Sequence, residues 1–407
     1  MRILEFIKQN CKNVEFKPLY ELTIWDKKFK GIPKEWQEKT IKFNHILSAD
    51  LKNLLCDDGD IFLLSTGNFS GYTNSEICKN FNQAEIIALP SGGFANIKYF
   101  NGKFIDSGNL LAISKDTSKV NLKFIFYYLQ SNLKIIEKMF RGAGIKHPEM
   151  SSILSIKIPV PSLEVQNKIV EVLDSFSSLV RSLVREKTAR EKQYKYYLNH
   201  LITNARNSRI LKLGEVCEFV RGGNFQKKDF LDSGFACIHY GQIYTHYGIW
   251  ADKTKTFISP ELAKKQKIAN KNDIVMAITS ENVEDVCKCT AWLGDEPVAV
   301  GGHSTIIKHN QNAKFLSYYF HSNYFANFKP KIAQGVKVME VYPKNLAKVE
   351  IPLPPLDEQE RIVRILDSLN ELANGLSAGI PKEIELRQKQ YEYWRDRLLE
   401  FPSKDSK

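Results

Sequence analysis

Cys287 and Cys289 stand one residue apart, with several histidines elsewhere in the chain, and their types invite a reading as metal ligands. The two-residue spacing of a zinc knuckle is absent and no second cysteine pair follows, so the pattern defines no metal site. Asp273 and Glu281 lie near lysines, an arrangement open to a metal-dependent nuclease. In a chain that is 26% charged, such neighbours arise by chance. The sequence holds no G-x-x-x-x-G-K-[ST] phosphate loop, no G-x-G-x-x-G after a strand and no H-E-x-x-H. It also lacks the N-P-P-[FY] or D-P-P-Y tetrapeptide of an amino-methyltransferase acting on a flipped base; Pro354 and Pro355 fall in PLPPLDE, a different context. No catalytic residue and no metal ligand is assigned.

The remaining chemistry is cationic. Lys27, Lys28 and Lys30 follow LYEL near the start, and Arg221, Lys227 and Lys228 follow LGEV in the second half. Arg141 and Lys146 in RGAGIKH correspond to Lys337 in QGVKV, beside glycines that would let backbone approach a duplex closely. Each alone reads as solvated surface; recurrence in both halves points to phosphate contact. The formal net charge of +12 favours a polyanionic partner, of which nucleic acid is the commonest. Seven irregularly spaced cysteines point to reduced thiols. MRILEFIKQNCKN is too short in apolar residues for a signal region or a membrane span. The expectation is a soluble cytoplasmic protein without membrane contact.

These cations are carried on a duplicated frame. IPVPSLEVQNKIVEVLDS from Ile158 returns as IPLPPLDEQERIVRILDS from Ile351, so Gln166, Ile169, Leu173 and Asp174 fall on Gln359, Ile362, Leu366 and Asp367. EKQYKYYLNHLI then matches RQKQYEYWRDRLL with four extra residues in the second copy. Fainter echoes align the segments ahead of each copy: LYEL with LGEV, GDIFLLSTG with NDIVMAITS, and GIK with GVK. The order is domain, helix, domain, helix, divided as 1–157, 158–204, 205–350 and 351–407.

Each repeat opens with I-P-x-P, which holds the chain extended before a helix begins. Apolar residues then recur in steps of three and four, giving one seam through Ile169, Leu173, Phe176, Tyr194, Tyr197 and Leu201 and another through Ile362, Leu366, Leu369, Tyr391, Trp394 and Leu398. A helix from Leu163 to Ile202 would span roughly 60 Å and needs a partner to cover its seam, which the other repeat supplies. The expected fold is α+β, with two mixed α/β domains joined by two long antiparallel coiled-coil helices in a pseudo-two-fold repeat. The first helix should run unbroken, whereas Gly375 to Pro381 should interrupt the second. Strands are predicted at Asp60–Leu64, Glu85–Leu89, Asp273–Ile278 and Ser304–Ile307, with one helix from Lys123 and another from Lys314 near the domain ends. Their tyrosine pairs, Tyr127 with Tyr128 and Tyr318 with Tyr319, read as core rather than as base-stacking platforms.

The double I-P-x-P-x-L-x-x-Q-x-x-I-V-x-x-L-D signature, with weakly similar domains ahead of each copy, resembles the specificity subunit of type I restriction-modification systems over nearly the whole chain. The resemblance implies two target recognition domains, each reading half of a bipartite sequence in double-stranded DNA, and two conserved spacer helices. The helices would fix the gap and dock two methyltransferase subunits, to which two restriction subunits add. It further implies a non-catalytic subunit without cofactors: S-adenosylmethionine would belong to the methyltransferase subunits, ATP and Mg²⁺ to the restriction subunits. The first domain departs from the second in lacking a glycine-rich lead-in like RGGNFQKK. Two alternatives predict different behaviour. A coiled-coil scaffold with an incidental basic surface would bind no specific DNA, and a nuclease or methyltransferase with a disguised site would be active alone.

Overall fold

The computed structural model describes residues 2–11, 14–375 and 379–402. It divides into two compact units, Met1–Ser182 with Glu385–Lys407, and Leu183–Ile384. These differ from the serial four-segment division because each globular domain folds together with helix from both repeats.

In the first unit, six strands form one sheet in the order Thr23–Trp25, Asn109–Ser114, Asn82–Pro90, Lys98–Asp106, Ile61–Leu64 and Ser70–Thr73. The long runs Asn82–Pro90 and Asn109–Ser114 are buried over most of their length, as expected of central strands. Helix Leu122–Ser131 covers the sheet through Leu122, Ile125 and Leu129. It begins where the Asn121 carboxamide oxygen accepts from the backbone N–H of Lys123 and Phe124. It stops at Asn132, and a separate helix follows, Leu133–Glu137, so the single helix expected from Lys123 is broken.

The second unit is built on different sheets. Five strands order as Cys217–Arg221, Ser304–His309, Ile274–Ala277, Cys289–Trp292 and Trp250–Ala251; four others as Thr256–Ile258, Phe235–Ile238, Val298–Val300 and Lys267–Ala269. Its late helix, Ala313–His321, likewise breaks, at Ser322, before Asn323–Ala326. Tyr127, Tyr318 and Tyr319 are buried. In both units the I-P-x-P run is a strand of a two-stranded ribbon: Lys157–Val160 against Glu15–Pro18, and Glu350–Leu353 against Arg209–Lys212. Proline is tolerated there because such a ribbon leaves one side of each strand unpaired.

The first repeat helix runs unbroken from Leu163 to Thr203. The second forms Leu356–Asn374 and Ile380–Leu398, with Pro381 in the first turn, where it blocks no helical bond. Of the break expected at Gly375–Pro381, residues 376–378 lie outside the described residues. In the first unit, Ile169, Leu173 and Leu398 are fully buried with Tyr391, Ile7 and Cys11, and Phe176 and Trp394 pack partly against them. In the second, Ile362, Leu366, Leu198 and Ile202 form the seam, with Tyr194 and Leu201 at its edge. Within the first unit residues 169–176 thus pack with 391–399, and within the second 194–202 pack with 362–366.

One position leaves the expected seam. Tyr197 is 37% exposed, and Leu198, at 5%, takes its place. At 100° per residue, Tyr197 points about 80° away from the direction of Ile169, whereas Leu198 points about 20° away. Leu369 is half-buried and lines a groove of about 650 Å³ with Tyr197, Gln193, Arg361, Arg364 and Ile365.

What joins domain to helix is the same polar latch in both units. Gln166 is fully buried; its oxygen accepts from the Asn121 N–H (2.9 Å), and its amide donates to the Pro161 carbonyl (2.8 Å) and the Lys119 carbonyl (3.0 Å). Gln359 repeats this with the Asn312 N–H (2.9 Å), the Pro354 carbonyl (2.8 Å) and the Gln311 oxygen (2.9 Å). Two turns on, Asp174 accepts from Lys123 Nζ (2.8 Å) and the Tyr127 hydroxyl (2.6 Å). Asp367 accepts from Lys314 Nζ (2.7 Å) and the Tyr318 hydroxyl (2.7 Å). Each lysine also lies over an aromatic ring: Lys123 over Tyr99 at 5.0 Å, and Lys314 over Trp250 at 4.5 Å. Burial first, then the aspartate each donates to, raises the Tyr127 and Tyr318 hydroxyls above the ordinary tyrosine range, so both stay protonated as donors.

Replacing Asp367 with alanine strands a fully buried tyrosine hydroxyl and a lysine. We expect a loss of roughly 2–3 kcal/mol in thermal or denaturant unfolding, against about 1 kcal/mol for Tyr318→Phe. Equal melting temperatures for Asp367→Ala and wild type would remove the latch from the account. Leu173→Ala should cost about 3 kcal/mol, and Trp394→Ala, with only part of its ring covered, about 2 kcal/mol.

Candidate nucleic-acid interface

All nine cations read from the sequence are exposed. Arg141 pairs with Glu149 at 3.0 Å, Arg221 with Glu340 at 3.3 Å, and Lys27 stands 4.0 Å from Asp26. Lys28, Lys30, Lys146, Lys227, Lys228 and Lys337 form no ion pair among the described residues, which leaves their charge available to a phosphate.

In the first unit the cations fall on two separate loops. Lys27, Lys28 and Lys30 follow strand Thr23–Trp25, on a loop whose Phe29 N–H and carbonyl are both held by the Gln37 carboxamide. Arg141 and Lys146 lie on the hairpin Phe140–Arg141/His147–Pro148. That hairpin is braced by the 91–93 loop: the Gly93 N–H donates to the Lys146 carbonyl (2.8 Å), and His147 Nδ1 bonds the Ser91 carbonyl (2.7 Å). Among the described residues no hydrogen bond or ion pair joins the two loops.

In the second unit the structure gathers more. The matching hairpin, Ala333–Gln334 against Met339–Val341, carries Lys337 at its tip, and Arg221 reaches it through Glu340. Arg221 opens R-G-G, whose Gly222 sits so close to the Gly301 carbonyl that any Cβ would strike it. The following His303, in the left-handed region at φ 63°, packs against Tyr240 with ring centroids 5.2 Å apart. Burial, then the charges of Lys227 and His303, lowers the pKa of neighbouring His239. A cleft of about 530 Å³ opens here, lined by Tyr240, Tyr244, Asn282, Lys288, His303 and Val338 among others. Glu281 and Asp285 line it too, and Lys288 is ion-paired with Asp285 at 2.6 Å, so the rings, hydroxyls and Asn282 carboxamide suit base edges rather than phosphates. Sequence reading missed these residues because only the fold brings 240, 244, 282, 303 and 338 to one place; the paired glycines at 222–223 and 301–302 were the one local signal.

Cys287 and Cys289 are buried, and burial pushes both thiols up to about 12. Among the described residues no group of three or more His, Cys, Asp or Glu side chains is placed to hold a metal. Asp273 is taken up structurally, accepting from the Asn270 N–H (2.8 Å) and Lys308 Nζ (3.1 Å).

Two unlike α/β heads, each set on paired helices by one repeated latch and each bearing exposed lysines without an ion pair among the described residues, define a duplicated protein with a cationic surface on each head. A family model described as Type I restriction modification DNA specificity domain matches residues 33–190 and 206–386. The chain belongs to that family and carries its domain twice; it is a specificity subunit, the recognition component rather than a catalytic one. It is 29% identical to the specificity subunit of an Escherichia coli type I restriction enzyme, over 97% of this chain and 96% of that one. A putative specificity subunit of Haemophilus influenzae is 28% identical, over 93% and 98%. The crystal structure of a type I S subunit from M. genitalium shares the fold with a TM-score of 0.57 at 15% identity, covering 96% of this chain and 97% of that one. No helix among the described residues is long and apolar enough to cross a membrane.

Both hairpins turn on a left-handed glycine, Gly142 at φ 143° and Gly335 at φ 117°; a Cβ on Gly335 would run into the Val338 carbonyl. Gly335→Ala should therefore open the tip, at a cost of about 1–3 kcal/mol, and raise amide exchange across residues 333–341 without lowering global stability by more. Unchanged exchange there would show that the tip tolerates a side chain.

Proposed function

We propose that each unit reads one half of a bipartite DNA target, with the length of the repeat helices setting the gap. Exposed Lys27, Lys28, Lys30, Arg141 and Lys146 in the first unit, and Arg221, Lys227, Lys228 and Lys337 in the second, hold the phosphates. The observation that carries this is the repeated latch beneath two differently built heads: the mounting is conserved within the chain and the reading surface is not. The helices also dock two methyltransferase subunits, to which two restriction subunits add, in the cytoplasm. The half-exposed groove at Tyr197, Ile365 and Leu369, flanked by Arg361 and Arg364, supports one docking surface. The repeat puts Val172, Phe176 and Trp394 at the matching positions of the first unit. S-adenosylmethionine acts on the methyltransferase subunits, and ATP and Mg²⁺ on the restriction subunits. A basic scaffold would not call for two unlike heads.

Exchanging residues 205–345 for another family domain that supplies a lysine and a tyrosine at the places of Lys314 and Tyr318 should change one half-site only, as read by mapping methylated adenines. A change in both halves, or in neither, would end the modular reading. Inserting four residues after Lys187 adds about 6 Å of helix against about 3.4 Å per base pair. The variant should methylate the same half-sites with a gap longer by one or two base pairs; an unchanged gap would show that something else sets the spacing.

A further inference from the structure

Beside each tip lysine stands an aliphatic side chain that the fold leaves in water. Ile145 is 71% exposed, Val336 is 94% exposed and Val338 57%. Turn tips favour glycine, asparagine, aspartate and serine, which need no burial, and a single exposed aliphatic residue would be unremarkable. Here an aliphatic residue recurs at the same place in the two tips, Ile145 and Val338, three residues after the left-handed glycine, and each has a lysine beside it, Lys146 and Lys337, on matching hairpins of two heads whose sheets differ. In the first unit the loop packed on the hairpin adds Phe94, 89% exposed. Gly92 of that loop lies so near Ile145 that a Cβ there would sit 3.1 Å from its Cγ2. In the second, Val338 borders the Tyr240, Tyr244 and His303 cleft.

We propose that these aliphatic tips enter a groove of duplex DNA and contact base edges, so that Ile145 discriminates within one half-site and Val336 with Val338 within the other. This rests on the bipartite reading above. The occupant is duplex DNA because the apolar tip is flanked by lysine in both copies, in a chain of net charge +12: the cation takes the phosphate at the groove's rim and the aliphatic group is carried inside. Such a contact adds affinity only where the base edge offers apolar surface, a thymine methyl above all, and so carries sequence information that a phosphate contact does not.

The test uses the full chain in complex with its methyltransferase partner, binding a cognate and an unrelated duplex across a salt series. Ile145→Ser and the Val336→Ser/Val338→Ser pair should each weaken cognate binding about tenfold, the effect of losing roughly 55 Å² of buried aliphatic surface. Each should leave the unrelated duplex within about twofold and the salt slope unchanged. Lys146→Ala and Lys337→Ala should instead weaken both duplexes and reduce the slope by about one. The serine variants alter exposed groups, so their melting temperatures should match wild type. Unchanged cognate affinity, or equal losses on both duplexes, would overturn the tip contact while leaving bipartite recognition standing. A wild-type complex without sequence preference would overturn both.

Discussion

A buried carboxamide without partners is costly, and Gln166 and Gln359 can be satisfied only when the start of a repeat helix meets the cap of the late helix in its domain. Asp174 and Asp367 fix a second point two turns further on. Two points of polar contact about 12 Å apart along a helix, from eight residues at 1.5 Å each, leave little freedom for the head to rock. The heads are free to differ because their mounting is not: a six-stranded sheet stands on one copy, five- and four-stranded sheets on the other.

The helices impose a second dependence. The buried faces of Ile169 and Leu173 are covered by Tyr391, Leu398 and Leu399 from the far end of the chain, and those of Ile362 and Leu366 by Leu198 and Ile202. Neither domain completes its core from its own repeat. Contacts between residues as far apart in the chain as Leu173 and Tyr391, or Leu198 and Leu366, must therefore form before either unit is whole, and entropy of loop closure is met by burial at both.

Much of this was legible in the sequence, and what was not has identifiable physical causes. The repeat, the unbroken first helix and the strands at Ile61–Leu64, Asn82–Pro90, Ile274–Ala277 and Ser304–His309 follow from identity and apolar patterning. The identical Gln and Asp positions were visible, but their partners were not. The signal was present in the shared K-x-x-x-Y of Lys123 with Tyr127 and Lys314 with Tyr318, which helix spacing puts on one face. Tyr197 was misplaced because a heptad template ignores the drift of a 3.6-residue helix over 28 residues. The cleft at Tyr240 and His303, and the exposure of Ile145 and Val336, depend on which loops meet at a sheet end, and no local pattern encodes that.

The central claim is that one chain reads two short sequences at a fixed separation. Selection of random-sequence duplexes by the chain bound to its methyltransferase partner tests it most directly. Enrichment of two short motifs separated by an invariant number of unspecified base pairs is the expected result. A single contiguous motif, two motifs at variable spacing, or no enrichment would contradict it.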